Sequence, residues 1–267
     1  MTPWREGPIS AAALEQQRLW GSDPAGWARF AEPHTRPLFE AVLAATGTRL
    51  LDVGCGSGLL LEMAQARGAT ATGLDVAPGL LTAARDRVPG ADLWLADLQR
   101  LPFPNGSFDA VTGVNAFQFA GDPREALREA ARVCRPGGVV AASTFAEPGR
   151  VESTVVSEAM SALSPPQRQA AHAPYSLSAP GGLEAGVADA GLRAGASGEV
   201  ECVWRYDSLA DACRGLLSSA GGTRAAQDAG RGAVEAGIAK AVVPFTDPGT
   251  GVISMRNVFR WVSAVRP

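Results

Sequence analysis

Lysine is almost missing from this 267-residue chain: Lys240 stands alone, and arginine supplies the rest of the 24 basic side chains. Against 27 acidic residues the formal charge is −3, which offers no long-range attraction to nucleic acid. The arginine bias reads as a GC-rich genome rather than as a binding surface. Histidine occurs only as His34 and His172, and the four cysteines, Cys55, Cys134, Cys202 and Cys213, show no C-x-x-C spacing. A zinc cluster lacks ligands, so no metal is expected. The thiols read as small core residues in a reducing cytoplasm. No apolar stretch approaches the ~20 residues that span a bilayer. The residues after Trp4-Arg5-Glu6 lack the apolar run of a signal peptide. What the composition does permit is a core. With 46% hydrophobic residues, the chain can bury one large domain.

The most informative stretch is Leu50-Leu51-Asp52-Val53-Gly54-Cys55-Gly56-Ser57-Gly58-Leu59-Leu60. An apolar run ends in an acid, then in three alternate glycines, and a helical pattern follows. This predicts a parallel strand turning tightly into a helix, with glycines where the backbone needs unusual dihedrals and close approach of a ligand. Free N–H groups are expected at the helix start. Many nucleotide-binding α/β proteins share such a loop. Further apolar runs end at Asp75, Asp97 and Asn115, and a fifth runs from Val139 to Phe145. Asp75 lies about 20 residues past the loop, where a ribose-binding carboxylate belongs. Asp52, Asp75, Asp97 and Asn115 would share the carboxyl edge of a parallel sheet, where ligands bind in such folds. Each acid could also simply cap the following helix. Asp109, at the start of the fourth strand, is assigned to structure. Arg124, Arg128, Arg132 and Arg135 beside Glu125 and Glu129 read as a solvated helix face.

In its order of motifs from Leu50 to Phe145 the chain resembles the class I S-adenosylmethionine-dependent methyltransferases, and within them a small-molecule-methylating group common in actinobacteria. The resemblance implies a doubly wound, Rossmann-like, seven-stranded, mostly parallel sheet with an antiparallel last strand, here Asn257–Val262, plus a helical lid. It implies S-adenosyl-L-methionine as cofactor, a small-molecule acceptor, and methyl transfer, with secondary metabolism as a setting. Position by position, Asp52 would hold the loop and the cofactor's amino group. Gly54, Cys55, Gly56 and Gly58 would pass beneath its homocysteine part. Asp75 would accept the ribose hydroxyls, Val76 would pack on the adenine, and Asp97 with the Leu98 N–H would read the adenine edge. Asn115 would sit beside the transferred methyl. Relatives often carry a His-His pair after the fourth strand. Asn115-Ala116-Phe117-Gln118-Phe119 stands here instead, which removes a ready base and favours an apolar or aromatic acceptor.

The remaining segments are expected to form one domain around that core: a lid over 1–46, the core over 47–145, and cap insertions with closing strands over 146–267. Residues 9–45 read as two helices, the second opened by Asp23-Pro24. Glycine joints are expected at Gly221-Gly222 and Gly230 in the cap. Trp20, Trp27, Phe117, Gln118 and Tyr175 are the substrate-pocket candidates, with the aromatics equally able to serve only as packing. His172 and His34 are the two side chains with an ordinary pKa near neutrality, so they are the candidates for a base, each weighed against a plain surface role. Two other functions stay open. A nicotinamide-dependent oxidoreductase would use the loop and Asp75, although Leu59 stands where its third glycine belongs. A cyclase, decarboxylase or binding protein could use the same fold without methylating.

Overall fold

The computed structural model describes residues 4–165 and 177–267. The apolar run Arg49–Val53 (β2) is buried from Leu50 onward and ends at the glycine loop. It is flanked by Thr70–Asp75 (β3) on one side and Phe108–Val114 (β5) on the other, both parallel to it. Asp92–Leu95 (β4) continues beyond β3, and Cys134–Phe145 (β6) beyond β5. Arg193–Tyr206 (β7) and Ile253–Val265 (β8) close the sheet, with β8 antiparallel to both β6 and β7. With Arg5–Glu6 as β1 at the edge, the order is β1-β4-β3-β2-β5-β6-β8-β7. An eighth strand extends the expected seven: Arg5–Glu6 (β1) pairs in parallel with Trp94 and Leu95.

Both faces are covered, so the central strands are apolar throughout rather than alternating. On one side Phe39, Leu43, Leu60 and Leu81 pack from the helices Arg36–Leu43 (α3), Leu59–Ala66 (α4) and Pro78–Arg87 (α5). On the other, Leu127 and Val133 of Pro123–Val133 (α6) meet Leu183 and Val187 of the helix Gly182–Asp189. Asp122 caps α6 by accepting from Arg124 and Glu125 N–H, with Pro123 at the first turn. Asp109 accepts from the Thr48 hydroxyl, the Arg49 N–H and the Arg135 guanidinium. The last of these holds its carboxyl below the usual range, and it ties β5 to the start of β2.

The N-terminal segment departs from the expected pair of helices. Ala11–Trp20 (α1) forms as expected. Asp23 caps the second helix by accepting from Gly26 N–H, but that helix lasts only Pro24–Gly26 (α2). A π-helical turn, Trp27–Ala31, and a 3-10 turn, Glu32–Thr35, then precede α3. Pro33 and Pro37 lack the N–H groups that an unbroken α-helix would need. In the cap, Gly230 is a joint with φ +84°, whereas Gly221 and Gly222 lie inside the helix Ala220–Ala229, whose capping residue is Ser219. The cap has a core of its own. Val156 and Met160 of Thr154–Ser161 (α7) pack with Leu216, Ala225, Val234 and Ile238 of the three helices between β7 and β8.

Candidate active site

The turn after β2 is built as the sequence indicates and used differently. Gly54, Gly56 and Gly58 all have positive φ, at 72°, 55° and 84°, a region that glycine enters without penalty. The loop amides are not free, however. Gly54 and Cys55 N–H both donate to the Leu74 carbonyl, and Gly58 N–H donates to that of Cys55. Gly56 N–H donates to Asp75 Oδ2 at 3.0 Å and Ser57 N–H to Glu32 Oε1 at 2.9 Å. A dinucleotide pyrophosphate needs those donors at a helix N-terminus. Here the chain's own carboxylates take two of them, which weighs against the nicotinamide reading.

Glu32 is the residue that sequence reasoning missed. It is buried, accepts from both the N–H and the hydroxyl of Ser57, and pairs with the Arg87 guanidinium. Arg87 in turn donates to the Ser57 carbonyl. The lid is thereby latched to the glycine loop and to α5 at one point. No local pattern marks Glu32, because its partners lie 25 and 55 residues away.

The strand-end acids sit where expected. Asp75 is buried and accepts from Gly56 and Ala77 N–H; burial pushes its carboxyl up to about 6. Asp52 is buried with a single short-range partner, the Thr112 hydroxyl at 2.7 Å. Burial pushes it up to about 8, against that hydrogen bond and with the help of nearby Glu32 and Asp75. Asp97 accepts from the Ser10 hydroxyl and from Gln99 N–H. Ser10 also caps α1 by accepting from Ala13 N–H, so the lid helix is aligned on the end of β4. Gln17 of α1 donates to the Val76 carbonyl at 2.9 Å. Asn115 has the left-handed φ of +53°, and Ser143 holds it by accepting from its N–H at 3.0 Å.

These groups open onto one cavity of about 550 Å³. Asp52, Gly54, Cys55 and Gly56, then Asp75 and Val76, then Asp97, Leu98 and Asn115 all line it. Trp20 and Trp27 line it too, and Phe119 joins them edge-to-face with its ring 5.2 Å from that of Trp20. At the far end the walls are Phe145, Trp204, Tyr206 and Phe259, with α7 alongside. Three polar atoms in the walls are buried without a partner: Gln16 Oε1, Trp27 Nε1 and Trp204 Nε1. Buried polar groups are normally paired, and these three are not.

Other candidates fall elsewhere. Gly58 is outside the cavity wall: it caps α4, and a Cβ there would come within 3.1 Å of the Ala84 backbone. Phe117 is fully buried in the core over Gly113, because the 3-10 turn Phe117–Phe119 points it inward. Gln118 is likewise not part of the lining; Phe119 takes the position expected of that pair. His34 is also off the cavity, between the lid and β7. Its Nε2 meets the Arg205 backbone, its ring lies 4.9 Å from that of Tyr206, and burial lowers its pKa. His172 and Tyr175 lie outside the described residues. Among the described residues no cluster with metal-ligand composition occurs, and no helix is long and apolar enough to cross a membrane.

Residues 51–142 match the family described as "Methyltransferase domain". Over that third of the chain the protein is similar to a methyltransferase domain. The malonyl-[acyl-carrier protein] O-methyltransferase of Serratia marcescens is 41% identical over 100 residues, 38% of this chain and 39% of that protein. Methyltransferase GfsG of Streptomyces halstedii is 35% identical over 142 residues, 50% and 51% of the two chains. The chain thus matches about half the length of these relatives or less. Among solved structures, the [4+2]-cyclase SpnF covers 99% of both chains at 21% identity with a TM-score of 0.56, a likeness of fold.

The cofactor that this similarity implies is S-adenosyl-L-methionine, and the residues present fit it. Acidic side chains concentrate at one end of the cavity, which suits a ligand carrying an ammonium and a sulfonium. Gly54, Cys55 and Gly56 of the glycine loop line that end of the cavity, and the absence of a Cβ on Gly56 leaves room for Glu32 Oε1 and Trp27 Nε1, which a Cβ would approach to 2.9 and 3.3 Å.

Proposed function

We propose that this protein transfers the methyl group of S-adenosylmethionine to a small-molecule acceptor. The observation that carries this reading is the single continuous cavity, acidic and polar along the strand ends and aromatic beyond Asn115. A cofactor and an acceptor can meet there end to end, away from water.

Asp75 would hold the ribose hydroxyls, Asp97 and Leu98 the adenine edge, and Asp52 the amino group. When bound, the cofactor supplies a methyl group already activated by a positive sulfur. The chain's task is then placement and exclusion of water, and proximity alone can lower a barrier by roughly 7–11 kcal/mol. Trp20, Trp27 and Phe119 form the apolar lid over the junction, and the Glu32–Ser57–Arg87 latch fixes that lid to the loop. Asn115, held by Ser143, stands between the two halves. Among the four aromatic walls of the far half the only ionisable side chain is Tyr206. Burial pushes its phenol well above the ordinary range, so it serves as a hydroxyl, not as a base.

The whole described chain contributes, with the lid and the cap helices enclosing a core that the family match covers only in part. Four free, buried cysteines agree with a reducing, cytoplasmic setting. The test is titration calorimetry with S-adenosylmethionine and S-adenosylhomocysteine, followed by transfer of labelled methyl across an acceptor panel. Binding of both and labelling of an acceptor are expected. Folded protein that binds neither overturns the proposal.

A further inference from the structure

The far half of the cavity has a composition of its own. Phe145 and Phe259 are paired across β6 and β8, with rings 4.5 Å apart. Trp204 and Tyr206 are two residues apart on β7, so they share a face of the sheet, and Trp204 lies edge-on to Phe145 at 6.2 Å. Three strands therefore present one aromatic floor. Beside it, Ser153, Ser157, Ser161 and Ser164 line the cavity at helical spacing along α7 and its flanks, together with Val156 and Met160.

Charge is confined to the other half, with one exception. Arg224 is the single cation in the lining among the described residues, and Glu15 lies 3.6 Å from it. Away from Arg224, which shares Glu15 with Arg18, a carboxylate or phosphate on the acceptor would meet no positive charge in this lining, and a cation no acid, among the described residues. Burying an uncompensated charge there is strongly unfavourable. Serine hydroxyls, in contrast, donate and accept without charge. The orphaned Trp204 Nε1 is a donor only, so its missing partner must be an acceptor atom.

Resting on the methyltransferase reading, we propose that the acceptor is an uncharged, ring-bearing molecule with an oxygen that accepts from Trp204 Nε1, its ring lying on the floor formed by Phe145, Trp204, Tyr206 and Phe259. Rings prefer offset or edge-to-face contact with such a surface. Trp204 is thus a specificity-determining residue. The serine face of α7 meets the molecule's remaining oxygens.

The test uses the full chain saturated with S-adenosylhomocysteine and three probes: 2-naphthol, naphthalene and naphthalene-2-sulfonate. Calorimetry should show one site for 2-naphthol and at least tenfold weaker binding of the sulfonate, which shares the ring but carries a permanent charge. Trp204→Phe keeps a ring and removes the donor. It should weaken 2-naphthol by about two- to tenfold, the range of one neutral hydrogen bond, with naphthalene and S-adenosylhomocysteine unaffected. Equal binding of the sulfonate overturns the proposal on the native protein alone, as does no binding of 2-naphthol. Equal loss of naphthol and naphthalene in Trp204→Phe overturns the role of Nε1. Failure to bind S-adenosylhomocysteine instead defeats the methyltransferase reading itself.

Discussion

Asp52 is the residue whose replacement tells most about the site, because the free protein and the cofactor make opposite demands on it. Its carboxyl is buried, held by Thr112 alone, and raised from 3.8 to about 8. Between those values the unfolded chain has lost this proton and the folded chain keeps it. The folded state binds more protons, so stability falls as pH rises from about 4 to about 8 and levels off above. At 1.36 kcal/mol per pH unit, the distance from 3.8 to pH 7 corresponds to on the order of 4 kcal/mol. Asp52→Asn keeps an oxygen for Thr112 and cannot ionise. Its melting temperature should fall less steeply than the native protein's, the remaining slope below about pH 6 coming from Asp75, and should exceed it at pH 7 by roughly 8–16 °C, taking about 2–4 °C per kcal/mol for a chain of this size. The cofactor's ammonium should reverse the balance by favouring the carboxylate. Native protein should then release a proton on binding at pH 7, seen as a binding enthalpy that changes with the ionisation enthalpy of the buffer. The variant should release none and bind about one to two decades more weakly, as expected for loss of a charged partner. Parallel melting curves for the two proteins from pH 4.5 to 8.5 would refute the account of Asp52.

The other outcomes concern its neighbours. Asp75→Ala should cost S-adenosylmethionine one to two decades of affinity, about 1.5–3 kcal/mol, by calorimetry. In the native protein affinity should weaken below about pH 6 as the same carboxyl takes up its proton. Glu32→Ala removes the partner of Arg87 and of the Ser57 N–H, and should destabilise by roughly 3–5 kcal/mol in denaturant unfolding while making the lid more readily cut by protease. A variant as stable and as protected as the native chain would show that the lid is held elsewhere. His34→Ala should leave the pH profile of turnover unchanged, since His34 meets the Arg205 backbone and not the cavity; loss of an acidic limb would make it a base after all.

What the sequence discloses and what it hides divide along the distance between partners. Asp52, Asp75, Asp97 and Asn115 were legible because each ends an apolar run, and parallel strands bring such ends to one edge without further information. The glycine loop was legible for the same local reason. Its bonding was not: the acceptors for Gly56 and Ser57 N–H come from Asp75 and Glu32, 19 and 25 residues away, and a turn motif read alone leaves those amides free. The choice between Phe117 and Phe119 depended on a three-residue 3-10 turn that hydropathy does not register. The unbroken second helix failed for a comparable reason, since a π-turn at Trp27–Ala31 still looks helical in sequence.

The aromatic floor lay furthest from view, and the reason bears on function. Phe145, Trp204 and Phe259 belong to three strands that alternate plainly as strands, and the antiparallel return of β8 is what makes them neighbours. Their chemistry is therefore a property of topology. The proposed cofactor determinants follow the parallel half of the sheet, where order in sequence and order in space nearly agree. The proposed acceptor determinants follow the closing strands and α7, where they do not. On that proposal, changes at Phe145, Trp204 or the serine face should alter the acceptor while the strand-end acids and their latch to the lid stay intact, because among the described residues no hydrogen bond of Asp52, Asp75, Asp97 or Glu32 reaches the far wall.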